Sequence, residues 1–222
     1  MVKMENKVYI ARTDVLYDEN IYEGLYNAVS EERRRKIDRL VQKRDKMLSI
    51  GAEILLKRAL SDCGIEGFSL KYGKNGKPYL TDNSLFFNLS HSDNTVICAV
   101  SEREIGVDAE KVGEVDLEIA KLFFHHDEFE LLQKLPTKSE KQDMFFRLWT
   151  LKESFAKAVG NGVLMPLDSF CIKLEGGEIS VRQSVNSQKY FFREYSLNDG
   201  FKYAVCGLYG EFSDNAAVIS LV

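Results

Sequence analysis

The segment WTLKESFAKAVG, residues 149–160, has the spacing of an amphipathic helix that ends at a glycine. One side of this helix is apolar and contains Leu148, Leu151, Phe155, Ala158 and Val159. A second side, nearly opposite, contains Trp149, Glu153, Lys157 and Gly160. We therefore predict that the apolar side packs on a core while the second side lines a cleft. The alternative is a surface helix with an ordinary Glu153–Lys157 pair, in which Trp149 packs on a second lobe of the protein.

This helix has a weak counterpart in the first half of the chain. A long helical pattern at residues 43–62 ends near Gly64, just as the later pattern ends at Gly160. The strand pattern TVICAV at residues 95–100 resembles KYAVCG at residues 202–207. Both repeats are separated by close to half of the 222 residues. The repetition predicts two similar helix-plus-sheet lobes with a cleft between them, where ligand sites commonly lie.

The segment GVDAEK at residues 106–111 has the pattern of a strand with two carboxylates. Residues two apart on a strand point to the same side, so Asp108 and Glu110 project together, with backbones about 7 Å apart. Carboxylate oxygens that face one way suit a hard divalent cation. The alternative is an exposed acidic pair on an edge strand.

The segment NLSHS at residues 88–92 places a histidine between two serines at the end of a strand. Hydroxyl and backbone N–H groups there could bind a phosphate. A nucleophilic Ser–His pair is disfavoured, because adjacent residues on a strand point to opposite sides. The alternative interpretation of His91 is a purely structural histidine.

Composition describes a globular chain, with 45% hydrophobic and 29% charged residues and a net charge of −4. That balance disfavours a dedicated nucleic-acid binder. Locally, however, residues 30–46 contain eight lysines and arginines against four acidic residues, and Lys71, Lys74 and Lys77 follow. These segments are candidates for binding a polyanion, with a solvated amphipathic surface as the alternative.

The sequence also predicts a cytoplasmic location. We find no apolar stretch of the roughly 18 residues that a membrane-spanning helix needs, and no apolar leader at the amino terminus. The four cysteines stand apart in apolar surroundings, which favours buried free thiols over zinc or disulfides.

Taken together, these segments resemble the 4′-phosphopantetheinyl transferases of the surfactin-synthetase-activating type. The resemblance rests on residues 88–92 and 106–110, on the WxxKExxxK pattern of residues 149–157, on GKP at residues 76–78, and on the basic helix start at residues 30–34. It implies an α+β fold, a pseudo-dimer of two lobes at residues 1–105 and 106–222 with the active site in the cleft. It implies transfer of the phosphopantetheine arm of coenzyme A to a serine of an apo acyl or peptidyl carrier protein. This is the holo-carrier-protein synthase reaction, which releases 3′,5′-ADP, and we expect a monomer that acts without nucleic acid or membrane.

The resemblance also implies roles for residues of this chain. The Mg²⁺ ligands would be Asp108, Glu110 and Glu153. The residues acting in catalysis would be Glu153, Lys157 and Asp108, with Glu153 or a water that it positions taking the serine proton. The residues that bind coenzyme A would be Arg33, Lys36, Lys46, Lys77, Ser90, His91 and Lys157.

The chain departs from the family pattern at Leu48, where a basic residue is common. We expect Lys46 to replace that charge or the 3′-phosphate of coenzyme A to be held less tightly. Two other functions remain open at this point. One is a catalytically silent module that binds coenzyme A or a carrier protein, and the other, less favoured, is a metal-dependent nuclease.

Overall fold

The chain forms two lobes that repeat one order of elements, and the computed structural model describes residues 4–73, 76–160 and 165–222. In the first lobe the elements are β1 (Lys7–Arg12), α1 (Glu19–Ala28), α2 (Glu31–Asp38), α3 (Lys43–Ser61), β2 (Leu70–Tyr72), β3 (Pro78–Leu80), β4 (Phe86–Ser92) and β5 (Thr95–Ser101). In the second they are β6 (Ile105–Lys111), α4 (Glu118–Phe123), α5 (His126–Lys134), α6 (Lys138–Val159), β7 (Cys171–Glu175), β8 (Glu178–Arg182), β9 (Phe191–Tyr195) and β10 (Phe201–Gly207). Each lobe thus runs from a strand through helices and a short hairpin to two more strands. The predicted duplication and the α+β class are confirmed.

The two main sheets also correspond strand by strand. The first has the order β1-β5-β4 and the second β6-β10-β9, and all of these pairs are antiparallel. Apolar side chains from one face of each sheet, such as Ile10, Ile97, Val107 and Val205, form a shared core between the lobes. The opposite faces pack against α3 and α6, so both sheets are covered on two sides.

The last strand, β11 (Ala217–Val218), returns to the first lobe, where it pairs with β1 in parallel. Leu221 is buried in the core of that lobe. The carboxyl tail therefore lies outside the second lobe, and the prediction that all of residues 106–222 belong to that lobe is wrong for the tail. Two residues of strand are too short to show a period in the sequence, so local patterns do not predict this crossing.

Helix α6 lies directly on the backbone of β6. A Cβ atom added to Gly106 would lie 2.1 Å from the Ser154 carbonyl oxygen and 2.3 Å from the Ala158 backbone nitrogen. Only glycine leaves room for that approach. The helix begins with a capping box between Thr137 and Glu140 and ends at Gly160, whose φ of 84° suits a residue without a side chain.

Among the helices of the described ranges, none combines the length and apolar character needed to cross a bilayer. The four cysteines are free, and three of them are fully buried.

Candidate active site

The candidate site lies where the edge strands β4 and β6 of the two lobes meet. Asp108 and Glu110 project from β6 on the side of α6, as their alternation predicted. From β4, the Ser90 hydroxyl donates to Asp108 Oδ1 at 2.8 Å, and the Ser92 hydroxyl donates to Glu110 Oε2 at 2.8 Å. The two serines thus hold the two carboxylates in register.

Helix α6 brings a cation to the same point. Lys157 Nζ donates to Asp108 Oδ1 at 2.6 Å and to Ser90 Oγ at 3.0 Å, so that helix and both strands meet at one ammonium group. Glu153 lies one turn earlier on α6, and its side chain is half-buried. The predicted cleft-lining side of the helix is therefore present for Glu153 and Lys157.

Trp149 belongs elsewhere, because its indole joins an aromatic cluster with Phe123, Phe124 and Phe145 inside the second lobe. The alternative interpretation of this residue, packing on the second lobe, is the one observed. Helical spacing alone places it on the cleft side, but Phe123 of α4 and the following Phe124 pack against its indole.

The three carboxylates influence one another electrostatically. Burial, and then the charge of Asp108, raises the pKa of Glu110 to about 7, while Ser92 and Lys157 oppose the shift. Burial also raises the pKa of Glu153, with Asp108 adding to the rise and Lys157 opposing it. The site therefore concentrates more negative charge than its own lysine neutralises.

The donor set fits a hard divalent cation. Asp108 is only 2% exposed, and its Oδ2 atom is buried with no hydrogen-bond partner among the residues that the structure describes. A buried carboxylate oxygen of this kind is costly unless a ligand satisfies it. Mg²⁺ takes oxygen ligands, and Asp108, Glu110 and Glu153 are the residues that could hold it.

A cavity of about 490 Å³ lies in the first lobe, and His91 at the end of β4 contributes to its wall. Its other lining residues include Arg33, Lys36, Asp45 and Leu48. Desolvation, reinforced by the charge of Lys157, lowers the pKa of His91, so the imidazole is neutral at pH 7. The cavity is of a size that holds a small organic ligand.

The basic residues predicted for this cavity differ in their surroundings. Arg33 Nε pairs with the buried Glu53 at 3.1 Å, whereas Lys36 has no ion pair among the described residues. Desolvation and the charge of Arg33 lower the pKa of Lys36. Lys46 is half-buried and is not part of the cavity wall. Lys74 falls outside the described residues.

Lys77 is placed on a second cavity of about 240 Å³, on the other side of the GKP segment. Its ammonium group donates to Glu104 Oε2 and to the Lys157 carbonyl oxygen, both at 3.0 Å. In this arrangement it faces the end of α6 rather than the cavity that contains Lys36.

One buried ionic pair involves the first lysine of the WxxKExxxK pattern, for which no role is predicted above. Lys152 Nζ lies 2.8 and 2.7 Å from the two Glu128 oxygens and 2.8 Å from the Phe170 carbonyl oxygen, with 0% of Lys152 exposed. The sequence does contain a signal for it, because Lys152 is four residues after Leu148 and three before Phe155, on the buried side of the helix. This pair fixes the rotation of α6 one residue before Glu153.

Comparisons with known proteins identify a family model and several relatives that match this chain. Residues 104–206 match the model of the 4′-phosphopantetheinyl transferase superfamily. The chain is 33% identical over 222 residues to the 4′-phosphopantetheinyl transferase Sfp of Bacillus subtilis (strain 168), covering 96% of this chain and 97% of that protein. It is 32% identical over 200 residues to the 4′-phosphopantetheinyl transferase gsp of Aneurinibacillus migulanus, covering 89% and 84%. A third relative, 4′-phosphopantetheinyl transferase HetI of Nostoc sp. (strain PCC 7120), is 47% identical over 109 residues, covering 45% and 46%.

Proposed function

The chain belongs to the 4′-phosphopantetheinyl transferase family, and from that premise we propose that it moves the phosphopantetheine arm of coenzyme A to a serine of an apo carrier protein. The serine oxygen forms a bond to the β-phosphorus of coenzyme A, and the bond from that phosphorus to 3′,5′-ADP breaks. The observation that carries this proposal is the cluster of Asp108, Glu110 and Glu153 with Lys157, in which a buried Asp108 oxygen lacks a partner among the described residues. The holo-carrier-protein synthase reaction is the form of the activity that we test.

The three carboxylates would hold Mg²⁺, which supplies positive charge to the pyrophosphate oxygens when it is bound. The donor set supports this role, because each carboxylate is partly or fully desolvated and the negative charges repel one another. Ser90 and Ser92 keep Asp108 and Glu110 oriented through their hydroxyl groups.

Lys157 would stabilise negative charge on the transferred phosphate. Its side chain is 24% exposed, and its ammonium group already reaches Asp108 and Ser90 from the helix. A fixed cation beside a phosphoryl group lowers the barrier because charge spreads over the phosphate oxygens during transfer. Neutral His91, in the wall of the first-lobe cavity, can offer one N–H to a phosphate oxygen.

Glu153, or a water that it positions, would remove the proton from the carrier serine. A general base works best when its pKa lies near the working pH. In the chain without metal, burial raises the pKa of Glu153 above that of an ordinary glutamate, and bound Mg²⁺ would lower it again.

The nucleotide end of coenzyme A would lie in the cavity lined by Arg33 and Lys36. The ammonium of Lys36, which has no ion pair among the described residues, supports this orientation, and Leu48 in the cavity wall offers no charge. Other properties remain predictions from the sequence. These are a role for Lys46, a monomeric state, a cytoplasmic location, and independence from nucleic acid and membranes.

Intact-mass measurement of an apo carrier protein tests the proposal. We expect the wild-type protein, coenzyme A and Mg²⁺ together to add the mass of one phosphopantetheine arm and to release 3′,5′-ADP. The Glu153→Gln variant should lose this activity, whereas Glu130→Gln, an exposed position on α5, should retain it. Binding of coenzyme A without any mass change would indicate the silent module, and cleavage of DNA or RNA would indicate the nuclease; either result overturns the proposal.

A further inference from the structure

Lys77 connects the two lobes at a point away from the carboxylates. It lies on the hairpin side of the first lobe, directly before β3, and its side chain reaches the start of β6 and the end of α6. Its ammonium group contacts Glu104 Oε2 at 3.0 Å, the Lys157 carbonyl oxygen at 3.0 Å and the Ile105 carbonyl oxygen at 3.5 Å. An ammonium group has three N–H donors, and these three oxygens account for all of them.

The end of a helix needs such a donor. The last four carbonyl groups of an α-helix have no partner within the helix, and the carbonyl of Lys157 is one of them. A lysine near this end satisfies the carbonyl and also interacts favourably with the negative end of the helix dipole. Here the lysine comes from the other lobe.

The position of this helix end determines the geometry of the site. Because α6 touches the β6 backbone at Gly106, the helix can slide or rotate on the strand only by a small amount before contact is lost. The side chains of Glu153 and Lys157 leave the last two turns of α6, whereas Asp108 and Glu110 leave β6. Any displacement of the helix end therefore separates the two halves of the candidate site.

We propose that Lys77 is a positioning residue, which fastens the end of α6 to the start of β6 and so holds Glu153 and Lys157 against Asp108 and Glu110. This inference rests on the proposed function. It replaces the role in binding coenzyme A that the resemblance implied for Lys77, since all three donors face protein oxygens.

Hydrogen exchange measures the position of the helix end without any substrate. In Lys77→Met, the backbone amides of residues 157–159 should exchange about 10-fold faster or more, because the last turn opens more often. Glu104→Gln should raise exchange of the same amides by a smaller factor, since it weakens one of the three contacts. Lys134→Met, which removes an exposed surface pair on α5, is the matched control and should change nothing at the end of α6.

Kinetics distinguish positioning from binding of coenzyme A. For Lys77→Met we expect kcat to fall on the order of 100-fold, the loss that a small misplacement of reacting groups produces, with KM for coenzyme A changed less than about 2-fold. Glu104→Gln should also lower kcat. It should not raise KM for coenzyme A, because Glu104 does not line the first-lobe cavity. Lys77→Arg should recover part of kcat, because arginine can donate to the same oxygens.

Two results would overturn the inference. One is a Lys77→Met protein with a strongly raised KM, an unchanged kcat and normal activity in Glu104→Gln, which makes Lys77 a ligand of coenzyme A. The other is unchanged exchange at residues 157–159. A wild-type protein that fails to modify any carrier would instead contradict the proposed function, and the exchange measurement would still decide whether Lys77 holds the helix.

Discussion

The first strand of each lobe packs against the long helix of its own lobe, and the two strands differ in what they present. In the first lobe, Tyr9 and Ala11 of β1 point into the apolar core beneath α3. In the second lobe, the equivalent strand β6 presents Gly106, Asp108 and Glu110 on the side of α6. The side of the strand that faces the long helix is thus apolar in the first lobe, whereas in the second lobe it contains the carboxylates of the candidate site. The first lobe contributes the cavity lined by Arg33 and Lys36.

The long helices differ in the charge that each buries. Helix α3 buries Glu53, which accepts hydrogen bonds from Ser30 and Arg33 and pairs with Lys57. Although burial opposes ionisation, the hydrogen bonds from Ser30 and the charge of Lys57 lower the pKa of Glu53 overall. Helix α6 buries the cation Lys152 instead. Each lobe fixes its helix with a buried ion, but the signs are opposite.

The largest effect should come from the contact between helix and strand. Gly106→Ala forces a Cβ atom against the α6 backbone, so we expect a loss of about 5 kcal/mol or more in the free energy of unfolding. In the first lobe, Gly51→Ala meets the methyl of Thr13 at 2.8 Å and should cost about 1 kcal/mol. Gly24→Ala has open space on α1 and should stabilise by up to about 1 kcal/mol. Urea denaturation measures all three, and equal costs for Gly106→Ala and Gly51→Ala would contradict the account.

The next effect concerns the buried ions. Lys152→Met leaves the Glu128 carboxylate buried without its partner and should cost about 3–5 kcal/mol of unfolding free energy. Glu53→Gln keeps several of its hydrogen bonds and should cost about 1–2 kcal/mol. The double variant Lys152→Met, Glu128→Leu should regain part of the loss, because no charge is left unpaired. If the double variant is no more stable than Lys152→Met, a buried unpaired charge is not the cause.

The smallest effect is the dependence of stability on pH without metal. The pKa of Glu110 is raised from 4.5 to about 7 in the folded chain, so the folded state holds a proton that the unfolded state has lost. Stability should therefore fall as pH rises from about 5 to 7.5. For Glu53, whose pKa is lowered, stability should instead be lost as pH falls through its folded-state pKa.

Thermal unfolding between pH 3 and 8 separates these two contributions. In a plot of melting temperature against pH, we call the fall between about pH 5 and 7.5 the neutral limb and the fall at acid pH the acid limb. Glu110→Gln should flatten the neutral limb and leave the acid limb unchanged, whereas Glu53→Gln should do the reverse. Millimolar Mg²⁺ should raise the melting temperature at pH 7.5 in the wild-type protein and much less in Glu110→Gln. A neutral limb that Glu110→Gln does not change would contradict the role assigned to this carboxylate.

Local patterns in the sequence predict much of this fold. The strand alternation at residues 106–111 places Asp108 and Glu110 on one side, and α2 begins at Ser30, where the helix start at residues 30–34 is predicted. These features depend on residues close in the chain, whose spacing determines which side they share.

Contacts between the lobes cannot be predicted in the same way. No local pattern predicts that Ser90 and Ser92 donate to Asp108 and Glu110, because the register at which β4 and β6 meet depends on the packing of the two lobes. The binding of a phosphate by these serines stays a prediction. The partners of Lys77 come from residues 27 and 80 positions away. Lys152 differs, since its spacing from Leu148 and Phe155 is enough to place it on the buried side of the helix.

In the proposed mechanism Asp108 of β6 and Glu153 of α6 belong to one metal site in the second lobe. A double-mutant cycle of Asp108→Ala and Glu153→Ala, assayed for carrier modification at saturating Mg²⁺ and coenzyme A, tests it most directly. We predict that each single variant loses about 100-fold or more in kcat and that the double variant loses little beyond the worse single one, because either change already disables the site. Losses that multiply in the double variant, or near wild-type transfer by Asp108→Ala, would contradict the account.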